Sequence, residues 1–256
     1  MAARLDKMRL TQQQNIHSQR PPQVKYSKKE IQSRVRKIPE IKFEDQRLTS
    51  FAGLVIFQSL FYKLHLKERL WRCFTHLKAS PIFGHHVVVL LLIVHLLIGY
   101  RRLREIDFYQ DDPMVKRLLG LDRIPDVATV SRALASVDGE SIGKLRELCR
   151  ALVIERLKKI GLYRLTLDVD GSVYWTQGRS NEGTAVGFNR RKKGAWSYYP
   201  LFCTIAQTGQ VFDVYHRPGN VHDSHGAKAF VFGFIRILHQ ELPWVKIEIR
   251  MDIVFF

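Results

Sequence analysis

The amino-acid sequence predicts an α+β protein in which a helical N-terminal region precedes a domain built on a β-sheet. Apolar residues recur at helical spacing over much of 49–160, and from residue 161 they alternate with polar residues, as in strands with one buried face. The later elements follow the order strand, strand, strand, helix, strand, with the first three antiparallel. We therefore expect a basic flexible arm over 1–48, a helical region over 49–160 and a sheet domain over 161–256.

The N-terminal half is assigned from its polarity and periodicity. Residues 1–48 are polar and basic with little periodicity, which indicates an arm. Thr49 and Ser50 are candidate N-caps of the first helix. The apolar run 87–98 is too short to cross a bilayer, so it predicts a buried helix and no membrane partner. The first helix places its apolar residues on one face: Leu54, Phe57, Leu60, Phe61 and Leu64.

Residues 113–137 read as a short helix, a turn at Gly120 and a second helix with Asp126 as its N-cap. This pattern resembles a helix-turn-helix, in which Arg132 near the start of the second helix would approach DNA. An ordinary helical hairpin has the same punctuation and stays open as an alternative. A further amphipathic helix over 140–159 ends at Gly161.

The sheet domain begins with a strand over 163–172. Its alternation places Leu165, Leu167 and Val169 on one face and the carboxylates of Asp168 and Asp170 on the other. A hairpin turning at 207–210, a helix over about 223–241 and a strand over 244–252 complete the predicted elements.

The charge of the chain indicates a polyanionic partner. The 256 residues include 41 Lys and Arg against 24 Asp and Glu, a formal net charge of +17, and 46% are hydrophobic, which excludes wholesale disorder. Nucleic acid is favoured over membrane. Cys73, Cys149 and Cys203 are too far apart for a zinc or redox motif, and they indicate a reducing cytosol.

Aspartates at strand ends suggest a metal site. Asp168 and Asp170 occupy the first strand, and Asp252 ends the last. If 244–252 lies beside 163–172, their carboxylates converge, and a divalent cation would hold them together. Such a site supports phosphoryl transfer. The alternative is that the aspartates only terminate strands and face solvent.

The segment 188–199 predicts contact with a DNA backbone, because four consecutive cations are followed by aromatic residues. A solvated hairpin tip is the alternative. The nearby histidines lack a complete zinc pattern, so 216–225 is predicted to be a polar loop in which Asn220 or Asp223 caps the next helix. The candidate DNA contacts are Arg190, Arg191, Lys192, Lys193, Trp196, Arg217, Asn220 and Arg132.

Three stretches carry a resemblance to a known family: LDVDGSV, the segment from TQGRSNEGTAVGFNRRKKG to HRPGNVHDSHGA, and the closing RMDIVFF. They resemble the catalytic core of bacterial insertion-sequence transposases of the DDE type, in particular the insertion sequence thirteen-eighty group. The resemblance implies a ribonuclease-H-like fold, Mg²⁺ or Mn²⁺ as cofactor, and cutting and joining of DNA at transposon ends. It maps the first two catalytic aspartates onto Asp170 and Asp252, with Asp168 beside them.

The family's third carboxylate, a glutamate on a later helix, has no counterpart before Phe256. The expectation is therefore an incomplete ribonuclease-H-like domain and a truncated transposase that binds DNA but does not complete transposition. The implied partners are transposon terminal inverted repeats and target DNA, with a homodimer on DNA in a bacterial cytoplasm, associated with the nucleoid.

Two other functions remain open from sequence. A non-catalytic DNA-binding remnant fits the charge and the missing carboxylate. LDVDGSV also resembles the first motif of haloacid-dehalogenase-type phosphatases, in which Asp168 would be the nucleophile and Asp170 the general acid. That fold requires parallel strands soon after the motif, whereas an antiparallel hairpin is predicted here.

Overall fold

The computed structural model describes residues 27–36, 48–78, 82–178, 181–187, 189, 191–222 and 224–251. The chain divides into two compact units, Met1–Val137 and Asp138–Phe256. Three residues singled out from sequence, Arg190, Asp223 and Asp252, lie outside the described residues, as does most of the predicted arm.

The first unit is helical, as predicted. Two short 3₁₀ helices, Ala52–Leu54 and Leu103–Phe108, accompany its α-helices. The α-helices are α1 (Lys28–Arg36), α2 (Val55–Lys63), α3 (Leu66–Arg72), α4 (His85–Leu97), α5 (Pro113–Leu119) and α6 (Val127–Ala135).

Helix α1 corrects the prediction of a flexible arm at its C-terminal end. Ser27 and Glu30 form a reciprocal cap, in which each side chain accepts the other's backbone N–H. The side-chain amide of Gln58 in α2 then donates to the carbonyls of Arg34 and Val35, at 2.7 Å each. Capping and this buried amide explain why a strongly polar segment is helical.

The apolar run forms helix α4, and it is buried as predicted. Leu91 and Val94 are fully buried, and His95 is 2% exposed with its Nδ1 2.6 Å from the hydroxyl of Tyr109. Burial is the main cause that lowers the pKa of His95. Across the residues that the structure describes, none of the helices has the length and apolarity to cross a membrane.

Helices α5 and α6 follow the predicted boundaries. Asp112 caps α5, Gly120 ends it in the left-handed conformation at φ 69°, and the Asp126 carboxylate accepts the backbone N–H of Thr129 at 2.6 Å. The predicted N-cap Thr49 does not cap the helix that follows it, because the 3₁₀ helix begins after Phe51. The Thr49 hydroxyl accepts the backbone N–H of Phe51 at 3.0 Å and donates to Asp112.

The second unit begins with helix α7 (Gly139–Ile160), so the division of the chain differs from the boundary predicted at 160/161. The physical reason is a buried ion pair. Asp213, whose side chain is 1% exposed, accepts from Arg146 and Arg150 of α7. Val153, Ile154 and Leu157 of the same helix enter the sheet's core.

The main sheet has the strand order β6-β5-β1-β7. Strand β1 is antiparallel to β5, which is antiparallel to β6, while β7 lies parallel to β1 on its other side. This is the predicted α+β arrangement of three antiparallel strands, a helix and a fourth strand. Among the described residues that follow β1, the early parallel strands of the rival phosphatase are absent. The strands are β1 (Arg164–Gly171), β5 (Leu201–Ile205), β6 (Gln210–Tyr215) and β7 (Lys246–Met251).

A second, small sheet has the order β2-β4-β3 and lies between β1 and β5 in the chain. Its strands are β2 (Tyr174–Trp175), β3 (Ala185–Val186) and β4 (Trp196–Tyr198). The backbones of Gly187 and Gly219 approach so closely that a Cβ on Gly187 would lie 1.6 Å from the carbonyl oxygen of Gly219. Only glycine fits at this contact.

Helix α8 (Ala227–Glu241) connects the hairpin to β7 and packs Phe230, Phe234 and Leu238 into the core. It begins later than predicted, after Gly226 in the left-handed conformation, so the predicted cap by Asn220 is wrong, and Asp223 lies outside the described residues. Strand β1 lies between β5 and β7, and its residues Asp168 and Asp170 are near its C-terminal end. The polar face of the sheet therefore carries these two carboxylates at that end.

Candidate functional site

The two carboxylates of β1 lie on the face of the sheet opposite its apolar core. Leu165, Leu167 and Val169 are at most 3% exposed, whereas Asp168 is half-buried and Asp170 is exposed. Alternation along the strand therefore separates the apolar and carboxylate faces as predicted from sequence.

Asp168 is neutralised by a neighbour on β7. The guanidinium of Arg250 donates to both carboxylate oxygens, at 2.6 and 2.8 Å, and the two residues are paired in the parallel ladder. This bidentate bond raises the pKa of Arg250. The structure thus gives Asp168 a fixed cationic partner that the sequence analysis did not identify.

A second pair lies further down the same face. Arg164 donates to Glu248 at 2.6 Å, and this bond is the main cause that lowers the pKa of Glu248. Arg164 and Asp168 of β1 thus meet Glu248 and Arg250 of β7 with opposite signs, an arrangement that favours the observed parallel register.

The side chain of Asp170 differs from that of Asp168 in having no hydrogen bond or ion pair to another described residue. It lies opposite Phe202 of β5 at the C-terminal end of β1. The next residue, Gly171, is in contact with Tyr199, because a Cβ there would lie 2.6 Å from the tyrosine ring. The carboxylate of Asp170 is therefore exposed, and the glycine that follows it packs closely against the ring of Tyr199.

Of the predicted metal ligands, the structure brings Asp168 and Asp170 onto one face. Strand β7 is described as far as Met251, which pairs with Val169, and Asp252 is the next residue in the chain. Within the described ranges there is no group of three or more His, Cys, Asp or Glu side chains placed to hold a metal ion.

We call the turn that carries Arg191, Lys192 and Lys193 the basic turn. Its backbone is held by a buried asparagine that was not predicted from the sequence. Asn189 is 6% exposed, and its Oδ1 accepts the backbone N–H groups of Arg191 and Lys192, at 3.1 and 3.0 Å. Arg191, Lys192 and Lys193 are exposed, Trp196 is half-buried, and Arg190 lies outside the described residues. An Asn followed by polar residues is a known turn pattern that could have predicted this cap.

Arg217 is not a surface cation, which corrects its prediction as a DNA contact. It is 1% exposed and donates to the backbone carbonyls of Tyr199, His222 and His225, at 2.9, 3.2 and 2.9 Å. It therefore connects the loop before α8 to the segment beside Gly171. Asn220 in the same loop is exposed.

Arg132, the candidate DNA contact of the first unit, is exposed on α6. Its Nε donates to the carbonyl of Ala128 at 3.3 Å and its guanidinium lies 3.2 Å from the hydroxyl of Thr129. Both bonds are long and exposed, so the side chain is available on the surface of that unit.

Comparison with known proteins identifies a family. The family model described as Transposase DDE domain group 1 matches residues 32–256. No curated protein is significantly similar in sequence to the chain.

Two solved structures are similar at low identity. The Mos1 transposase paired-end complex with left transposon end has 10% identity and a TM-score of 0.22 over 86% of this chain and 64% of that one. The pre-cleavage Mos1 transpososome has 11% identity and a TM-score of 0.24 over 90% and 68%. The chain thus spans just under two thirds of the length of the first. The family match covers most of the chain, including both units, and on this ground the protein belongs to the transposase DDE domain group 1 family.

Proposed function

We propose that the protein acts in DNA transposition, binding transposon ends and cutting and joining DNA by metal-dependent phosphoryl transfer, with Asp170 as a catalytic carboxylate. The observation that carries this proposal is the contrast between the two aspartates of β1. Asp168 is held by Arg250, whereas Asp170 stands open at the strand's end. A metal ligand needs free lone pairs, and Asp170 has them.

Asp252 is proposed as the second carboxylate. Met251 pairs with Val169, the residue before Asp170. Asp252 follows Met251 directly in the sequence, and this adjacency supports its proposal as the partner of Asp170.

The donor set fits a hard divalent cation. Both groups are carboxylates, and Mg²⁺ and Mn²⁺ prefer oxygen ligands. When bound, the ion would activate the attacking oxygen and stabilise the leaving oxygen. Asp168, neutralised by Arg250, would position the strand beside the site.

The DNA backbone is proposed to lie along the basic turn. Arg191, Lys192 and Lys193 are exposed on a turn that Asn189 fixes, so their charges are presented together. Asn220 and Trp196 are proposed as neighbouring contacts, and Arg132 as a contact of the helical unit. The proposed partners are terminal inverted repeats and target DNA, bound by a homodimer in a bacterial cytoplasm, associated with the nucleoid.

Metal binding tests the site without requiring turnover. Titrating the protein with Mn²⁺ and following the electron paramagnetic resonance of free Mn²⁺ measures the affinity directly. Asp170→Asn should weaken binding at least about tenfold, since a ligating carboxylate is lost. Glu248→Gln is the matched control, because Glu248 lies on the same face but is paired with Arg164, and it should leave affinity unchanged.

Activity and DNA binding are measured on the same variants. Asp170→Asn should bind a labelled duplex normally by fluorescence anisotropy and fail to support metal-dependent nicking. Equal Mn²⁺ affinity in wild type and Asp170→Asn would remove the assignment of the site. DNA binding without any Mn²⁺ binding would favour the non-catalytic DNA-binding remnant instead.

A further inference from the structure

An exposed tryptophan lies under a lysine in the small sheet, shortly after Asp170. Trp175 of β2 is 46% exposed, and the Nζ of Lys192 lies 3.5 Å from the centroid of its ring. An ammonium at this distance over an indole face makes a cation–π contact. We call Trp175, its neighbour Tyr174 and Lys192 the aromatic platform.

The backbone of Lys192 is held in position by hydrogen bonds on both sides. Its backbone N–H donates to the buried Asn189, and its carbonyl accepts the N–H of Ala195 at 3.3 Å. The backbone of Trp175 is fixed by pairing with Ser197 of β4. Both partners of the contact therefore start from ordered backbone positions.

The platform continues to the proposed catalytic carboxylate. The ring of Tyr174, which is 52% exposed, lies 6.1 Å from that of Phe202. Phe202 pairs with Asp170 in the ladder between β5 and β1, so their side chains share one face. A ligand that reached Asp170 would therefore have aromatic surface beside it.

The chemistry of the platform fits an unpaired base. A flat, exposed indole offers a stacking surface, which bases inside a duplex cannot use because both of their faces are already stacked. The ammonium beside it offers a contact to a phosphate. Three adjacent cations, Arg191, Lys192 and Lys193, supply the charge that a nucleic-acid backbone requires.

We propose that Trp175 stacks on an unpaired base of single-stranded DNA and that Lys192 moves from the indole to the adjoining phosphate. This inference rests on the proposed function and adds to it a specific preference for strand ends that are melted near Asp170. In the free protein Lys192 covers the ring, and in the complex the base replaces it.

The test uses the full 256-residue chain, a labelled 12-nucleotide single strand and the blunt duplex of the same sequence. Trp175→Ala should weaken binding of the single strand by at least about fivefold, the lower bound for loss of one base–aromatic stack, and change duplex binding less than about twofold. Trp244→Ala is the matched control: Trp244 is 55% exposed but precedes β7, at the opposite end of that strand from Met251. It should change neither affinity.

A second measurement examines the lysine. A plot of log affinity against log salt concentration for the single strand has a negative slope. Its magnitude should decrease by about 0.7 in Lys192→Gln, because one phosphate contact is lost. Lys246→Gln, an exposed lysine at the start of β7, should keep the wild-type slope.

The outcomes separate this inference from the function on which it rests. Wild-type single-strand affinity in Trp175→Ala, with duplex and Mn²⁺ binding intact, would overturn the stacking role alone. Failure of the wild type to bind either DNA would overturn the proposed function and the inference together.

Discussion

The buried ion pair between β6 and α7 gives a stability prediction whose size follows from the exposures of its members. The side chain of Asp213 is 1% exposed, that of Arg150 17% and that of Arg146 40%. Replacing Asp213 with Ala leaves two cations facing a site from which water is largely excluded. Removal of one member of a buried ion pair costs about 3–5 kcal/mol.

We expect the lower end of that range, about 3 kcal/mol for Asp213→Ala, because Arg146 is already partly hydrated and can turn to solvent. For a unit of this size the melting temperature would fall by roughly 10 °C. The helix α7 would lose its polar anchor on β6, while its apolar contacts would remain.

Urea unfolding followed by tryptophan fluorescence measures the effect. The chain has four tryptophans, and only Trp71 lies in the first unit, so a Trp71→Phe background reports on the second unit alone. Glu241→Ala is the control, because its pair with Lys158 is about half exposed at both ends. Loss of such a surface pair costs less than about 1 kcal/mol.

The reasoning is refuted if Asp213→Ala and Glu241→Ala differ by less than about 0.5 kcal/mol, the usual scatter of surface substitutions. A double-mutant cycle with Arg150→Met adds an internal check. The arginine substitution should cost less once Asp213 is absent, since residues in direct contact are not additive.

Three further predictions concern glycines and histidines. In urea unfolding, Gly187→Ala should destabilise the second unit by more than about 2 kcal/mol, because its Cβ would lie 1.6 Å from a backbone carbonyl oxygen. Gly143→Ala within α7 has open space for its Cβ and should stabilise the unit by about 0.5–1 kcal/mol. Equal effects of the two substitutions would contradict this reasoning. Burial lowers the pKa of His86 from 6.5 to about 4. Between these two values the unfolded chain binds a proton at His86 and the folded chain does not, so the stability present above pH 6.5 is lost as the pH falls toward 4. Melting curves over this range should show the loss reduced in His86→Gln and retained in the exposed control His239→Gln. His65 has a left-handed backbone at φ 49°, so His65→Gly should raise the free energy of unfolding by about 0.5–1 kcal/mol in urea, and a decrease would show that its contact with Tyr62 matters more.

Much of the fold could be predicted because local chemistry and tertiary packing agree. Gly120 ends α5 and Asp126 caps the start of α6, as their residue types favour. The alternation of apolar and polar residues along β1 identifies its buried face. The sequence offers the pairing of β7 with β1 only as a condition for bringing the strand-end aspartates together, and the structure contains that pairing. These features depend on short-range patterns and on one topological inference.

The remainder depends on partners distant in sequence. Nothing near Arg217 in the sequence indicates that three backbone carbonyls enclose its guanidinium, so the sequence predicts a surface arginine where the structure has a buried one. Likewise, Asp168 and Arg250 are 82 residues apart, and their pairing follows only from the register of β1 with β7. The assignment of α7 to the second unit depends on Asp213, which sequence periodicity does not reveal.

The central position of β1 also determines when the proposed catalytic surface can exist during synthesis. Because β5 follows β1 in the chain sooner than β7 does, the edge of β1 that faces β5 can pair first, and its other edge must wait for β7. Closing so long a loop carries a larger entropic cost than closing the hairpin. A nascent chain that has not yet delivered β7 therefore presents an unpaired strand edge beside Asp170, so this stage of folding is the one most exposed to intermolecular strand pairing.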